Sequence, residues 1–171
     1  MDVSSDPDAF AQLVRVHQAM VFSLARHLLG DADEAEEVAQ EVFCKLFQHA
    51  EALESDRHVL FWLRRVTVHQ ALDHGRRRRV RPRVGLESAP EPLAPAAETD
   101  PWRAERLRDA VAALPPEQRA AVVLRYEEDM EPGEIAQLLR VSVHTVKSRL
   151  QRALRQLRAT ASACQPETSR R

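Results

Sequence analysis

Residues 134–158 read EIAQLLRVSVHTVKSRLQRALRQLR, and this stretch decides the fold of the second half of the chain. Ile135, Leu138 and Leu139 have the apolar spacing of one face of a helix. Ala136 is small enough for a second helix to cross close by. The first third of the stretch therefore predicts a short helix with a close-packed partner.

A turn is predicted at Arg140 and Val141, and a second helix follows it. Ser142 stands where an N-cap belongs, because its hydroxyl can accept a backbone N–H from the first turn of the next helix. The apolar residues of that helix recur at three- and four-residue spacing and are expected to face inward: Val143, Val146, Leu150, Ala153, Leu154 and Leu157. The stretch as a whole predicts a helix-turn-helix.

The polar residues of the second helix fall on its other side. The outward set consists of Lys147, Ser148, Gln151 and Arg152. These are the side chains that pair with base edges in the major groove of DNA. Three more arginines are placed to meet phosphate oxygens: Arg149, Arg155 and Arg158. No acidic residue interrupts residues 140–158, so the pattern favours DNA reading over a merely solvated helix face.

The charges of the chain are sorted into blocks, although its formal net charge is only -1 over 171 residues. Residues 31–56 hold nine acids against Lys45 alone, and residues 57–83 hold nine arginines against Asp73 alone. Each block interacts most strongly with the opposite charge. We therefore expect one basic protein partner and one nucleic-acid partner.

Several functional classes find little support in the sequence. No run approaches the roughly 18 apolar residues of a membrane span, and the acidic N-terminus is unlike a secretory signal, so we expect no membrane span and a cytoplasmic protein. Cys44 and Cys164 form neither a disulfide framework nor a metal site. The seven histidines are scattered, and neither a Gly-rich phosphate loop nor a nucleophile elbow is present. We expect no enzyme, no cofactor and no metal.

Helical spacing recurs throughout the chain, and no alternating strand pattern is present, so the predicted fold class is all-α. A first helix is expected from Pro7 to a stop at Gly30, and a second from Asp33. A polar loop leads to a third helix, in which Gly75 is expected to fray or bend the last turn. The second helix carries an acidic face for which the sequence gives no internal reason.

Half of the ten prolines lie between Val80 and Pro101, which predicts a flexible linker between two small helical domains. The expected boundaries are 1–80 for the first domain, 81–101 for the linker, 102–160 for the second domain and 161–171 for a tail. In the second domain Pro115 and Pro116 are expected to end one helix and open the next.

Residues 114–158, LPPEQRAAVVLRYEEDMEPGEIAQLLRVSVHTVKSRLQRALRQLR, resemble the promoter-binding fourth region of bacterial sigma factors of the extracytoplasmic-function group. LARHLLGDADEAEEVAQEVFCKLFQ, residues 24–48, resembles the polymerase-binding helices of the second sigma region. FWLRRVTVHQALDHGRRRR, residues 61–79, resembles its strand-opening helix. The matches occur in the family's order and on both sides of the proline-rich segment.

The resemblance implies that the chain binds core RNA polymerase and promoter DNA and that an anti-sigma factor restrains it. It implies polymerase binding by Glu37, Gln40 and Glu41. It implies contacts to the minus-ten element by Arg57, His58, Arg64, Arg65, His69, Arg76, Arg77, Arg78 and Arg79. It implies contacts to the minus-thirty-five element by His144, Thr145, Lys147, Ser148, Arg149, Gln151, Arg152 and Arg155.

The chain departs from the family pattern at four positions. Arg140 stands at the turn where the family usually has Gly, so the turn must either avoid a left-handed backbone or adopt one at a cost of about 1 kcal/mol. Val68, His69 and Gly75 also depart from the residues typical of the minus-ten helix. A stand-alone helix-turn-helix regulator remains the alternative, because TVKSRL also resembles the reading helix of two-component response regulators.

Overall fold

A computed structural model of the chain describes residues 7–49, 55–80 and 101–163, and these ranges contain seven α-helices and no strand. The helices are α1 (Pro7–Leu29), α2 (Ala32–His49), α3 (Asp56–Val80), α4 (Pro101–Ala112), α5 (Pro116–Tyr126), α6 (Pro132–Leu139) and α7 (Val143–Ala163). Helices α1–α3 form one compact unit, and α4, α5 and α7 form another with most of α6. The all-α fold with two helical domains is confirmed.

Helices occupy both edges of the proline-rich segment. Val80 ends α3 and Pro101 begins α4, so both residues are helical and do not belong to a linker. The remaining part of the predicted linker, 81–100, lies outside the described residues.

The first unit is organised by a sharp turn between α1 and α2. Gly30 has φ +80°, and its N–H donates to the Arg26 carbonyl over 2.9 Å, which closes α1 as predicted. The buried Arg26 guanidinium donates in turn to the Gly30 carbonyl over 2.8 Å. The Asp31 carboxylate accepts the Glu34 N–H over 3.0 Å and caps α2, which begins at Ala32, in agreement with the predicted start near Asp33.

Helix α3 completes this unit. The Ser55 hydroxyl accepts the His58 N–H over 3.2 Å and caps the start of the helix. The helix continues through Gly75 to Val80, so the expected fraying of its last turn is absent from the structure. The core between the three helices includes Val21, Ala25, Val38, Val42, Leu46 and Leu63.

The second unit is built around α5, with Pro115 at its N-cap and Pro116 as its first residue, as the sequence predicts. Its fully buried large side chains include Leu114, Leu124 and Ile135. Val146 and Ala153 of α7 are also fully buried. Ala136 of α6 is only 5% exposed, as expected for a small residue at a close helix crossing.

Both turns that flank α6 use left-handed residues that are not glycine. Asp129 has φ +49° and Arg140 has φ +54°. In each turn the N–H of the following residue donates to a carbonyl of the preceding helix. Met130 donates to the Leu124 carbonyl and Val141 to the Ala136 carbonyl, each over 3.0 Å. Arg140 therefore adopts the left-handed backbone conformation, which is the more costly of the two alternatives considered from the sequence.

Two expectations about α7 are wrong. Val143 was expected to face inward, yet it is 42% exposed, because it is the first residue of α7 and the core that covers Val146 does not extend to that end. The tail was expected to begin at residue 161, but α7 continues to Ala163. Residues 164–171 lie outside the described residues.

Candidate functional site

The start of α7 is fixed by its cap. The Ser142 hydroxyl accepts the Thr145 N–H over 3.1 Å and lies 2.9 Å from the Thr145 hydroxyl. Val146, Leu150 and Ala153 are buried and fix the rotation of the helix about its axis. The predicted cap is present, and Thr145 belongs to it as well as to the set of predicted DNA contacts.

The opposite side of α7 carries an outward row. His144, Ser148, Gln151 and Arg155 follow one another at intervals of four, three and four residues, which places them on one helix face. Lys147 and Arg152 are exposed on the two flanks of this row. Ser148 within the row is half-buried, as are Thr145 and Arg149. The structure thus brings all eight predicted residues to one helix, with six of them on or beside the outward row.

The cations of α7 make no ion pair with the acidic residues that the structure describes. Among residues 7–49, 55–80 and 101–163, the structure shows no ion pair made by Lys147, Arg149, Arg152 or Arg155. Their charge is therefore presented to solvent with little internal compensation, which suits the binding of a polyanion.

The predicted minus-ten residues of α3 do not form one surface. His58, Arg65, His69 and Arg76 recur at intervals of seven, four and seven residues and share an outward face, which we call the outer face of α3. Arg76 also pairs with Asp73 over 3.1 Å. Arg57 and Arg77 are exposed, and Arg64, Arg65 and His69 are half-buried. The side chain of Arg79 lies outside the described part of the chain.

Arg78 lies on the other side of α3, where it faces α2. Its Nη1 lies 3.0 Å from Glu34 Oε1 and 3.1 Å from Glu34 Oε2. His74 lies one turn earlier, with Nδ1 3.8 Å from Glu34 Oε2 and Nε2 3.6 Å from Glu37 Oε2. Gln70, a further turn back, donates to Glu41 Oε2 over 2.5 Å. We call this row of contacts the α2–α3 polar seam.

The polar seam corrects one expectation from the sequence. The acidic face of α2 does have an internal partner, because Glu34, Glu37 and Glu41 all meet side chains of α3. Among the predicted polymerase-binding residues, Glu37 remains 65% exposed and Gln40 is also exposed, with its amide 3.5 Å from Glu36. Glu41 is exposed but hydrogen-bonded to Gln70.

An apolar groove between α1 and α2 was not predicted from the sequence. Four of the five phenylalanines of the chain line it: Phe10, Phe22, Phe43 and Phe47. Phe47 is 51% exposed, and its ring meets Phe10 edge-on at a centroid distance of 5.1 Å. Gln40 and Glu36 also line the groove. Phe22 and Phe47 lie outside the inward-facing apolar stripes of their helices. This position in the sequence is the signal that could have revealed the groove.

Two searches of the described residues bear on other classes of site. No helix there is long and apolar enough to cross a membrane. No group of three or more His, Cys, Asp or Glu side chains in those ranges has the arrangement of a metal site.

Comparison with known families and proteins gives a consistent result. The family described as Sigma-70 region 2 matches residues 13–81, and the family described as Sigma-70, region 4 matches residues 104–157. The ECF RNA polymerase sigma factor SigE of Mycolicibacterium smegmatis is 35% identical over 167 residues, which cover 92% of this chain and 63% of that protein. The RNA polymerase sigma-E factor of Streptomyces coelicolor is 36% identical over 150 residues, which cover 87% of this chain and 84% of that protein.

Solved structures agree on the fold. The sigma factor RpoE of Bartonella quintana, solved in complex with the anti-sigma factor NepR, matches with a TM-score of 0.74 at 21% identity over 91% of this chain and 98% of that one. With two sigma regions matched in order and relatives above 30% identity over most of the chain, this protein belongs to the ECF family of RNA polymerase sigma factors.

Proposed function

We propose that this chain is an alternative sigma factor that binds core RNA polymerase in the cytoplasm, directs it to specific promoters and initiates transcription. The observation that carries the proposal is the presence of both sigma regions, in order, on one chain. We assign residues 1–80 to polymerase binding, minus-ten recognition and strand opening. We assign residues 102–160 to minus-thirty-five recognition.

The outward row of α7 is our candidate for the minus-thirty-five contact. A helix held by a cap at its N-terminus and by apolar residues on one side can lay the other side in the major groove. Ser148, Gln151 and Arg152 are the side chains suited to base edges, and Arg155 lies one turn further on for phosphate contact. The absence of ion pairs between the cations of this helix and the acidic residues that the structure describes supports the assignment.

The outer face of α3 is our candidate for the minus-ten contact. Single strands are usually held by cationic grooves and stacking surfaces. Arg65, His69 and Arg76 share this face and supply cationic and ring groups along about half of the helix. Arg78 belongs to the predicted set but is engaged with Glu34, so we assign the first contact with DNA to the outer face.

The exposed flank of α2 is our candidate for the polymerase contact. Glu37 and Gln40 are both solvent-exposed, and Gln40 also borders the apolar groove. A cationic protein surface that bound there would contact an exposed carboxylate, an amide and exposed phenylalanines. Such a contact combines charge complementarity with the burial of apolar surface.

An anti-sigma protein is our candidate for the restraint on this activity. The matched RpoE structure contains the anti-sigma factor NepR. The apolar groove of this chain supports the proposal, because exposed phenylalanines favour a covering partner.

The stand-alone regulator is disfavoured by the first half of the chain, which is helical in its described residues and matches Sigma-70 region 2. The deciding experiment is reconstituted transcription with purified core RNA polymerase on a template that carries the promoter of the chain's own operon. We expect transcripts only when both the chain and core polymerase are present. Specific promoter binding by the chain alone, without stimulation of polymerase, would instead support the regulator.

A further inference from the structure

The turn between α6 and α7 contains a strained arginine. Arg140 has φ +54°, a left-handed backbone that costs free energy for a residue with a long side chain. Its side chain is exposed, and within residues 7–49, 55–80 and 101–163 the structure shows no ion pair or side-chain hydrogen bond made by it. Backbone atoms close the turn, because the Val141 N–H donates to the Ala136 carbonyl. No side-chain contact within these ranges therefore offsets the strain, and such residues cluster where a protein contacts a ligand.

The other left-handed turn has a local explanation. Asp129 has φ +49°, but a short polar side chain tolerates this backbone better than a long one. Its carboxylate also lies 3.8 Å from Arg125 Nη1. Arg125 donates to the Met130 carbonyl over 3.2 Å and lies 3.2 Å from Glu131 Oε1. The strained residue and the cation of that turn are thus both engaged within the chain, in contrast to Arg140.

The place of Arg140 in the helix-turn-helix indicates its ligand. In such motifs the second helix lies in the major groove, and the first helix crosses the sugar–phosphate backbone. Arg140 directly follows α6, the first of the two helices, and precedes the Ser142 cap of α7 by two residues. It is the only Lys or Arg between Pro132 and Ser142, a stretch that also holds the acid Glu134. Arg140 is therefore the cation that this part of the motif can offer to a phosphate.

The length of the outward row supports a phosphate at this end of α7. The row runs from His144 to Arg155, which is roughly 16 Å of helix at 1.5 Å per residue. The major groove of DNA is only about 12 Å wide. A helix laid across the groove therefore has its two ends near the two phosphate backbones. Arg155 lies at the C-terminal end of the row, and Arg140 precedes its N-terminal end.

We propose that Arg140 binds a phosphate of the DNA backbone at the N-terminal end of α7, and that this contact is the function of the strained turn. The inference rests on the proposed role of α7 at the minus-thirty-five element and adds a residue to it. Phosphates carry no sequence information, so Arg140 positions α7 and strengthens binding to every sequence alike. Neutralisation of a phosphate releases counterions, so its contribution depends on salt.

The test is the binding of a short labelled duplex, carrying the minus-thirty-five element of the chain's own operon, to the free full-length chain. Arg140→Gln removes the cation and keeps a side chain on the same left-handed backbone. Fluorescence anisotropy should show several-fold weaker binding at the lowest salt. The slope of log K against log salt should become shallower by about 0.9, the value for one phosphate contact on duplex DNA. The advantage of the wild type should therefore shrink by about 3.5-fold between roughly 50 and 200 mM salt, equally on a duplex of scrambled sequence.

Three further variants separate the charge from the backbone. Arg140→Lys keeps a cation and should retain most of the affinity and the salt slope. Arg140→Gly removes both the cation and the strain, so it should weaken binding as much as Arg140→Gln does. Arg106→Gln removes the same charge at an exposed position of α4, outside the helix-turn-helix, and should stay near the wild type. Circular dichroism of each variant verifies that the helices are intact.

Four outcomes contradict the phosphate contact. The first is a wild-type affinity and salt slope in Arg140→Gln. The second is an equal loss from Arg140→Gln and Arg106→Gln, which would show a general charge effect. The third is a loss from Arg140→Gly without a loss from Arg140→Gln, which would show that only the stiffness of the turn matters. The fourth is a loss confined to the promoter duplex, which would show base reading.

Reconstituted transcription with core polymerase separates this inference from the proposed function. Promoter-specific transcripts from the wild type, with an unchanged duplex affinity in Arg140→Gln, overturn the phosphate contact and leave the sigma function in place. A loss of duplex affinity in Arg140→Gln, without transcripts from the wild type, retains the contact and rejects the sigma function. Neither transcripts nor duplex binding by the wild type rejects both.

Discussion

The cationic helices α3 and α7 differ in whether their positive side chains are paired with carboxylates. On α3, Arg78 and His74 face carboxylates of α2, whereas the cations of α7 have no ion-pair partner among the residues that the structure describes. Both helices are rich in arginine, so composition alone does not separate them. The difference teaches that the availability of a basic helix for nucleic acid depends on the helix packed beside it.

The largest effect is expected from reversing charge on α2. Glu37→Lys combined with Gln40→Ala should abolish co-purification with core polymerase, because it places a cation and a truncated side chain on the exposed flank that faces the basic partner. Helical content, measured by circular dichroism, should be unchanged.

The control for this variant is Glu127→Lys, which makes the same charge change at an exposed position just after α5. It should retain polymerase binding. Polymerase binding that persists in the α2 variant would refute the assignment of that flank.

The two units can be compared through matched core truncations. Leu63→Ala in α3 and Leu124→Ala in α5 each remove a fully buried leucine and should each cost about 2–5 kcal/mol of unfolding free energy. Hydrogen exchange followed by mass spectrometry should show lost protection only in the unit that carries the change. Lost protection in both units from a single substitution would mean that they unfold together.

The outward row of α7 can be divided by function. Arg152→Ala should lose about 1–3 kcal/mol of discrimination at one minus-thirty-five base pair, because a side chain that reads a base edge is removed. Arg155→Ala should weaken binding to all promoter sequences alike. Polymerase complexes on a panel of single-base promoter variants provide the measurement, and equal weakening by both substitutions would mean a different docking of the helix.

The smallest effect is expected at the turn before α7. Arg140→Gly removes left-handed strain of about 1–2 kcal/mol, which glycine's greater freedom in the unfolded chain offsets by about 0.5–1 kcal/mol. The free energy of unfolding of the chain should rise by roughly 0.5–1 kcal/mol in a urea titration.

Gln137→Gly is the control for this gain, because Gln137 is exposed within α6, where glycine should instead cost about 1 kcal/mol. A loss of stability from Arg140→Gly would indicate that the arginine side chain contributes contacts worth more than its backbone strain.

Local signals predicted most of the fold. Gly30, Ser142 and Pro116 mark helix ends through their own backbone or side-chain chemistry, and each acts where the sequence placed it. The contact of Arg78 with Glu34 spans 44 residues and depends on how α2 and α3 pack, so nothing in either segment predicts it. The groove also depends on packing, because its phenylalanines come from two helices, and the positions of Phe22 and Phe47 off the inward stripes are its only local signal. Val143 has helical spacing but lies at a helix end, where periodicity overestimates burial.

The apolar groove has a practical consequence for work with the purified protein. DNA-binding proteins are commonly kept in high salt, which screens their charges. Here salting-out anions also strengthen the association of exposed phenylalanines such as Phe22 and Phe47. The unbound chain should therefore self-associate more readily as ammonium sulfate is raised, and moderate concentrations of a weakly hydrated salt should suit its storage better.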